Sequence, residues 1–263
     1  MAEEKNIDVC QPMKFGDEEI SQLKELHPDL IVVAAYGKIL PEAILSMPKF
    51  GAINVHGSLL PKYRGPSPIQ NAIMNGEKTT GSTIMLMDRG IDTGKMLRKK
   101  EMAIGKDETY PELMSRMADM SAVLLSETLP DWLNNKIEAI DQDDTQASLC
   151  QLIERSDGRV VWAEEAEDIY NKYRALAPWP GIFTFWEKGQ ANLRLKLNKV
   201  SIIRSNPETE HKTGEVFEIG DKIGVGTGSG VIILEEVQLE GKNRVKIRDF
   251  VNGNKEFLGS ILR

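Results

Sequence analysis

Cysteine and long apolar runs are both scarce in this sequence of 263 residues. The two cysteines, Cys10 and Cys150, stand alone without a CxxC pair, so the sequence indicates neither a metal site nor a disulfide scaffold. The longest apolar run, 30–36, is far too short to span a bilayer, and the first residues lack the charged-then-apolar order of a signal peptide. We therefore expect a cytoplasmic protein with no metal and no membrane partner.

Positive charge is also in deficit, since 33 Lys and Arg stand against 40 Asp and Glu. This balance argues at first against a nucleic-acid partner, because phosphate binding depends on basic side chains that displace counterions. The distribution is uneven: 14 basic and 11 acidic residues lie from Arg174 onward, against 19 and 29 before it. A random fluctuation of surface charge would explain this difference, so by itself it favours no partner.

Strand and helix signals alternate in the first part of the chain, which is the pattern of an α/β sheet. The apolar stretch 29–37 is typical of a parallel strand covered on both faces. Further strands are predicted at 51–57, 82–88 and 95–104. Helices are predicted at 17–26, 41–47, 68–74 and 110–133, the last of them started by a capping box of Thr109 and Glu112.

The second part of the chain differs in pattern. Residues 135–159 are polar and aperiodic and predict a linker, which a helix at 163–176 follows. Short alternating stretches with Gly-rich turns then predict a small β-barrel, with strands at 182–186, 193–203, 213–219, 222–225 and 231–239. The predicted organisation is an α/β domain at 1–135, a linker with a connecting helix at 136–176, and a β-barrel at 177–263.

Three polar side chains follow predicted strands in the first domain. Asn54 and His56 lie two residues apart at the end of one strand, so both point to the same face where the strand leaves the sheet. Asp92 lies between glycines after another strand. Open α/β sheets bind ligands at such strand ends. An amide, an imidazole and a carboxylate suit acyl transfer to an amine, because they can stabilise an oxyanion and move protons without a Ser or Cys nucleophile.

The motifs around these residues carry a family resemblance. NVHGSLLPKYRG (54–65), PIQNAI (68–73) and MDRGIDTG (87–94) closely resemble the formyltransferase family of folate enzymes. The resemblance implies a Rossmann-like parallel-sheet formyltransferase domain in which Asn54, His56 and Asp92 are the catalytic trio. It also implies a co-substrate, 10-formyltetrahydrofolate. The residues that would contact this folate are Ser58, Leu59, Leu60, Pro61, Lys38, Ile39, Leu40, Asp88, Gly90 and Ile91, of which Ile39, Leu40 and Ile91 would form the apolar walls of a pterin pocket.

The second domain indicates which branch of the family is closest. RALAPWPGIF (174–183) and IRDFVNG (247–253) look like the linker and C-terminal barrel of methionyl-tRNA formyltransferases. This resemblance implies an OB-like fold, methionyl initiator tRNA as partner and a monomeric state. Alternating basic residues would then share a face and contact phosphates. These residues are Arg194, Lys196 and Lys199 on one predicted strand, and Lys242, Arg244, Lys246 and Arg248 near the end.

The start of the sequence departs from the family pattern. Family members begin with a further βαβ segment, so we expect the first strands of the sheet to be missing and the stretch 29–37 to form an uncovered edge. This departure leaves three hypotheses open. The chain is an active transferase, a catalytically silent tRNA-binding remnant, or a related enzyme that hydrolyses formyl-folate or formylates a sugar amine.

Overall fold

The computed structural model describes residues 2–204 and 211–263. The chain divides into two compact units, and each has a hydrophobic core of its own. The first unit comprises Met1–Arg64, Gly81–Lys100 and Asp119–Leu149. The second comprises Gly65–Thr80, Glu101–Ala118 and Cys150–Arg263.

Helices and strands alternate in the first part of the chain and strands dominate the last. The elements up to residue 176 are α1 (Asp17–Glu25), β1 (Ile31–Ala34), α2 (Glu42–Leu45), β2 (Ala52–His56), α3 (Pro68–Met74), β3 (Thr79–Leu86), β4 (Met96–Ala103), α4 (Tyr110–Leu133) and α5 (Ala166–Leu176). The remaining elements are β5 (Ile182–Lys188), β6 (Ala191–Ile203), β7 (Val216–Ile219), β8 (Lys222–Gly226), β9 (Val231–Leu239), β10 (Val245–Lys246) and α6 (Ile247–Gly253).

The first sheet has the strand order β1-β2-β3-β4. β1 and β2 are parallel, with Ile31 opposite Ala52, whereas β3 runs antiparallel to β2. The predicted α/β class is confirmed. The prediction that β1 is covered on both faces is wrong, because Val32 is 42% exposed and Ala34 is also exposed. Among the described strands β1 pairs only with β2, as expected for an uncovered edge.

Helix α4 has the bounds that the sequence predicts, and its start shows why. The Glu112 carboxylate accepts hydrogen bonds from the backbone N–H and the hydroxyl of Thr109, at 2.8 and 2.7 Å, and these bonds lower the pKa of Glu112. Farther along the helix, Leu124 packs against Ile53 of β2 and Ile84 of β3. This packing covers one face of the sheet and leaves the opposite face of β2 for polar side chains.

The second sheet is antiparallel and has the order β5-β6-β9-β8-β7, with β10 beside β9. The last residues of the chain pair with both outer strands: Leu262 bridges to Trp186 of β5, and Ile261 bridges to Glu215 beside β7. The two edges are thereby joined through the C-terminus, as a barrel requires. The predicted C-terminal β-barrel is thus confirmed as an antiparallel β-domain.

The predicted alternation of basic residues near the end of the chain is wrong. Lys242 lies in a turn, only Val245 and Lys246 form a short strand, and Arg248 lies in helix α6. Ile247, Phe250 and Val251 are buried at helical spacing, and the burial of this apolar face favours a helix over a strand. The four basic residues from 242 to 248 therefore do not alternate along one strand.

Candidate active site

Strand β2 positions the first two polar residues of the site. Ile53 is buried in the core of the first unit and Val55 packs against it, so the alternation of the strand directs Asn54 and His56 to the other face. His56 is the last residue of β2 and is only 5% exposed. The structure therefore places this pair as the sequence predicts.

Asp92 lies beside Asn54 and His56, but it is placed there by a loop and not by the end of a neighbouring parallel strand. Because β3 is antiparallel to β2, the end of β3 at Leu86 lies opposite Ile53, at the start of β2. The loop after β3 folds back, and Asp92 adopts a left-handed backbone with φ 53°. Such a conformation is uncommon outside glycine, is tolerated best by Asp and Asn, and often marks a functional site. Asp92 therefore lies close to His56 because this loop folds back, and not because the two strands end side by side.

The trio of Asn54, His56 and Asp92 is assembled around the carboxylate. The amide Nδ2 of Asn54 donates to Oδ1 of Asp92 at 3.3 Å, and Nδ1 of His56 lies 3.5 Å from Oδ2 of Asp92. The Asp92 side chain is 17% exposed. Each carboxylate oxygen therefore faces a different member of the trio.

His56 has a second partner, the carbonyl oxygen of Tyr63, which lies 3.0 Å from Nε2. A carbonyl can only accept, so Nε2 carries a proton. Burial lowers the pKa of His56 by disfavouring the charged ring, while the Asp92 carboxylate and the hydrogen bond to Tyr63 oppose this effect. The atom that gains or loses the proton is consequently Nδ1, which faces Asp92.

The loop after β2 is held against β3. Ser58 and Leu60 are fully buried, the hydroxyl of Thr83 donates to the Ser58 carbonyl, and the Leu60 N–H donates to the Thr83 hydroxyl. Leu59 and Pro61 are half-buried. Two buried hydrogen bonds therefore fix the path of this loop next to His56.

The other predicted folate contacts lie in two surface segments. Lys38 donates to the carbonyl of Met13, Leu40 is buried, and Ile39 is 89% exposed. In the second segment, Asp88 accepts from Gly90 N–H and the Thr93 hydroxyl at 2.9 and 2.7 Å. Ile91 is 63% exposed. Of the three residues predicted to wall a pocket, two present their side chains to solvent and one is part of the core.

A segment interpreted as linker supplies side chains that the sequence analysis missed. Gln142 donates from Nε2 to the carbonyl oxygens of Asp92 and Gly94, both at 2.8 Å, and accepts from the guanidinium of Arg64. Ser148 accepts through Oγ from the backbone N–H of Tyr63 at 2.9 Å. No periodic pattern marks these residues, so the signal that could have found them is weak.

The seven predicted phosphate contacts differ in their surroundings. Arg194 lies over the Phe183 ring at 3.6 Å, and a β-bulge between Leu197 and Val200 keeps Lys199 exposed on β6. Three of the seven are paired with carboxylates: Lys199 with Glu235, Arg244 with Glu236, and Arg248 with Glu218. Arg194, Lys196, Lys242 and Lys246 make no ion pair among the described residues.

The described residues contain no group of three or more His, Cys, Asp or Glu placed to hold a metal ion. They also contain no helix with the length and apolarity needed to cross a bilayer.

The comparisons with known proteins agree with this fold. The sequence matches the formyl transferase family over residues 1–129 and the formyl transferase C-terminal domain over residues 152–255. The protein is therefore a member of the formyl transferase class. A methionyl-tRNA formyltransferase of Alkaliphilus oremlandii (strain OhILAs) is 43% identical to it, over 98% of this chain and 82% of the relative. The chain belongs to the methionyl-tRNA formyltransferase family.

Solved structures share the fold at much lower identity. An N-formyltransferase from Helicobacter canadensis, in complex with folinic acid and dTDP-3-aminofucose, superimposes with a TM-score of 0.66 at 19% identity, over 89% of this chain and 80% of that one. HypX from Aquifex aeolicus, in complex with tetrahydrofolic acid, superimposes with a TM-score of 0.65 at 17% identity, over 97% of this chain and 43% of that one. These similarities show a common fold.

Proposed function

We propose that the chain transfers the formyl group of 10-formyltetrahydrofolate to the free amino group of methionine on initiator tRNA. The observation that carries this proposal is the assembled trio in a chain 43% identical to a methionyl-tRNA formyltransferase over nearly its whole length. The Helicobacter canadensis and Aquifex aeolicus structures were solved with folates, which supports a folate co-substrate. In this function the enzyme works in the cytoplasm, as a monomer, during translation initiation.

The geometry divides the chemistry among the three side chains. The methionine nitrogen attacks the formyl carbon, and the formyl oxygen becomes an oxyanion in a tetrahedral intermediate. One N–H of the Asn54 amide is bound to Asp92, and the amide has a second N–H that can donate to this oxyanion. Loss of such a donor typically lowers the rate by about a hundredfold to a thousandfold.

His56 and Asp92 handle the protons. The attacking amine must lose a proton, and the folate nitrogen must gain one before the bond from this nitrogen to the formyl carbon breaks. Because Nε2 of His56 is bound to the Tyr63 carbonyl, the pair formed by Nδ1 and Asp92 is the group that can accept the first proton and return the second. The charge of the site is the same before and after the reaction.

The surface segments beside the trio suit a folate. Ile39 and Ile91 expose large apolar side chains, which can cover the faces of a pterin ring. The backbone groups around Lys38 and around Asp88 can hydrogen-bond its edge. The fixed Ser58–Pro61 loop would then lie against the part of the folate next to the formyl group.

The second unit would bind tRNA through phosphates. Arg194 and Lys196 lie on the same face of β6, and the bulge directs Lys199 to that face as well. Binding by these residues should weaken as salt is added, because each phosphate contact releases counterions. The paired residues Lys199, Arg244 and Arg248 would have to exchange a carboxylate for a phosphate.

The decisive experiment is a formylation assay with the purified chain, methionyl initiator tRNA and 10-formyltetrahydrofolate. Formyl-methionyl-tRNA should form, and Asn54→Ala or His56→Ala should reduce its rate at least about a hundredfold. His27→Asn is the matched control, since His27 is exposed and its positive φ of 47° is one that Asn accepts. Equal rates for control and trio variants would contradict the assignment.

Three other outcomes would favour the alternatives. Formate release without tRNA would indicate a formyl-folate hydrolase, and formylation of an amino-sugar nucleotide would indicate a sugar-amine formyltransferase. Salt-sensitive tRNA binding without any turnover would indicate a catalytically silent remnant. The identity of 43% to a methionyl-tRNA formyltransferase, against 19% to the Helicobacter canadensis enzyme, favours tRNA as substrate.

A further inference from the structure

The two partners of His56 are both held by one short segment, 142–148. On one side of the imidazole, the Asp92 backbone carbonyl accepts from Gln142 Nε2 at 2.8 Å. On the other side, the Tyr63 N–H donates to Ser148 Oγ at 2.9 Å. The segment therefore contacts the backbone of both residues to which the ring nitrogens of His56 are directed.

Gln142 has a defined orientation in this contact. The guanidinium of Arg64 has only donors, and its Nε and Nη2 lie 3.0 and 2.8 Å from Oε1 of Gln142, so this oxygen is the acceptor. The Nε2 group must then donate, and its two N–H groups match the carbonyls of Asp92 and Gly94. Both N–H groups of the Gln142 amide are therefore bound to backbone carbonyls beside the site.

Arg64 also binds two other residues of the segment 142–148. Its side chain is 8% exposed, and Nη2 also contacts the exposed Asp144 at 2.7 Å. Its backbone N–H donates to the Ser148 carbonyl at 2.8 Å, directly after Tyr63. The loop carrying the Tyr63 carbonyl and the loop carrying Asp92 are thus tied to the same few residues.

These contacts matter because both loops have conformations that need support. Tyr63 and Asp92 have positive φ angles of 59° and 53°. Such backbone conformations are strained and persist only where surrounding contacts hold them. A loop that relaxed here would move a partner away from His56.

We propose that Gln142 and Ser148 are positioning residues for formyl transfer, which hold Asp92 and Tyr63 in contact with His56. This inference rests on the proposed function. It assigns an active-site role to a segment that neither touches the reacting groups nor carries a recognisable motif. Gln142 and Ser148 act through Asp92 and Tyr63, so their loss should affect the chemical step more than the binding of either substrate.

The first test is the kinetics of Gln142→Glu in the full chain. This variant keeps an acceptor for Arg64 but loses both donors to the Asp92 and Gly94 carbonyls. We expect kcat to fall roughly tenfold to a hundredfold, the scale of a small misplacement, with both KM values within about twofold of the wild type. Gln146→Glu makes the same change at an exposed residue of the segment, whose side chain hydrogen-bonds to Asp143, and should behave as wild type.

Two further variants test whether the segment acts through Asp92 and Tyr63 or only stabilises the fold. Ser148→Ala removes the acceptor for Tyr63 N–H and should lower kcat to a smaller extent. Gln142→Glu combined with Asp92→Ala should be no slower than Asp92→Ala alone, because an effect exerted through Asp92 disappears with it. An increase in KM at constant kcat, or an undiminished effect in the double variant, would overturn the proposal.

A readout independent of activity uses the three histidines, His27, His56 and His211, whose ring signals can be assigned by substitution. The neutral variant Gln142→Met should lower the pKa of His56 measured by NMR, since Asp92 raises that pKa and would lie farther away. An unchanged titration would refute the positioning role. If the wild type fails to formylate while this shift is seen, the proposed function is wrong, and the shift shows only that Gln142 holds Asp92 beside His56.

Discussion

The Nε2 atom of His56 lies 3.0 Å from the carbonyl oxygen of Tyr63. Since the carbonyl has no proton to give, His56 keeps its Nε2 proton whether the ring is neutral or charged. The titrating atom is Nδ1, which is buried beside Asp92. One backbone acceptor thereby determines which ring nitrogen can take part in proton transfer.

The first prediction concerns the pH dependence of stability. Burial lowers the pKa of His56 in the folded chain below its unfolded value of about 6.5. Between these two values the unfolded chain binds a proton that the folded chain does not, so stability falls as pH falls through this window. Urea denaturation from pH 8 to pH 5 should show a smaller loss of stability for His56→Gln than for the wild type. Parallel curves would contradict the buried neutral imidazole.

The second prediction concerns the charge of Asp92. In Asp92→Asn the new Oδ1 can still accept from Asn54, and the new Nδ2 can donate to neutral Nδ1 of His56. Asn also accepts the left-handed backbone, so the melting temperature should change little, while kcat should fall at least about a hundredfold. Asp92→Ala should lose as much activity and also stability, because Ala tolerates the positive φ poorly. Retained activity in Asp92→Asn would remove the carboxylate from the mechanism.

The sequence predicts the bounds of some elements and two of the three proposed catalytic side chains better than it predicts the third. Helix α3 begins at Pro68 and ends before Asn75, as the proline at its start and the Asn-Gly at its end predict. The alternation of side chains along β2 predicts that Asn54 and His56 share a face. The contact of Asp92 with His56 could not be predicted from strand ends, because it depends on a loop that reverses after an antiparallel strand.

The support of the site could not be predicted for a different reason. Gln142 and Ser148 lie in a polar stretch without periodicity, where local sequence carries no information about distant partners. Their contacts join residues 50 and 85 positions apart. Arg64 is likewise a charged residue that only the tertiary structure shows to be buried.

The third prediction concerns Gly65. Its φ of 119° is open to glycine alone, and a Cβ there would lie 2.5 Å from the Cys150 carbonyl oxygen, which is backbone. Gly65→Ala should therefore destabilise the chain by about 1–3 kcal/mol or more. Gly253→Ala is the control: nothing lies within 4 Å of a Cβ at this helical residue, and the variant should be neutral or stabilised by about 0.5–1 kcal/mol. Chemical denaturation measures both.

The fourth prediction concerns the aromatic core of the second unit. Trp186 is 1% exposed and meets the rings of Phe250 and Phe257 edge-on, at centroid distances of 5.7 and 5.2 Å. Trp186→Ala should cost about 3–5 kcal/mol of unfolding free energy. Trp179→Ala, at a tryptophan that is 55% exposed, should cost much less. Similar unfolding midpoints for the two variants would contradict this core.

The last prediction separates free from paired basic residues on β6, and it rests on the proposed tRNA partner. Lys199 is bound to Glu235 at 2.8 Å, an ion pair that lowers the pKa of the carboxyl, whereas Lys196 makes no ion pair among the described residues. A phosphate can approach Lys196 directly but must displace a carboxylate from Lys199. Lys196→Ala should therefore weaken tRNA binding and reduce the slope of log affinity against log salt by about one, and Lys199→Ala should reduce it less.

Removal of the carboxylate that pairs with Lys199 should raise the affinity for tRNA. Glu235→Gln removes the competing carboxylate and frees Lys199, so tRNA should bind more tightly and the salt dependence should become steeper. Glu218→Gln is the corresponding change at the partner of Arg248 and tests whether α6 belongs to the same surface. Filter binding over a range of salt concentrations measures all four variants. If Lys196→Ala and Glu235→Gln both match the wild type, the phosphates do not contact this face of β6.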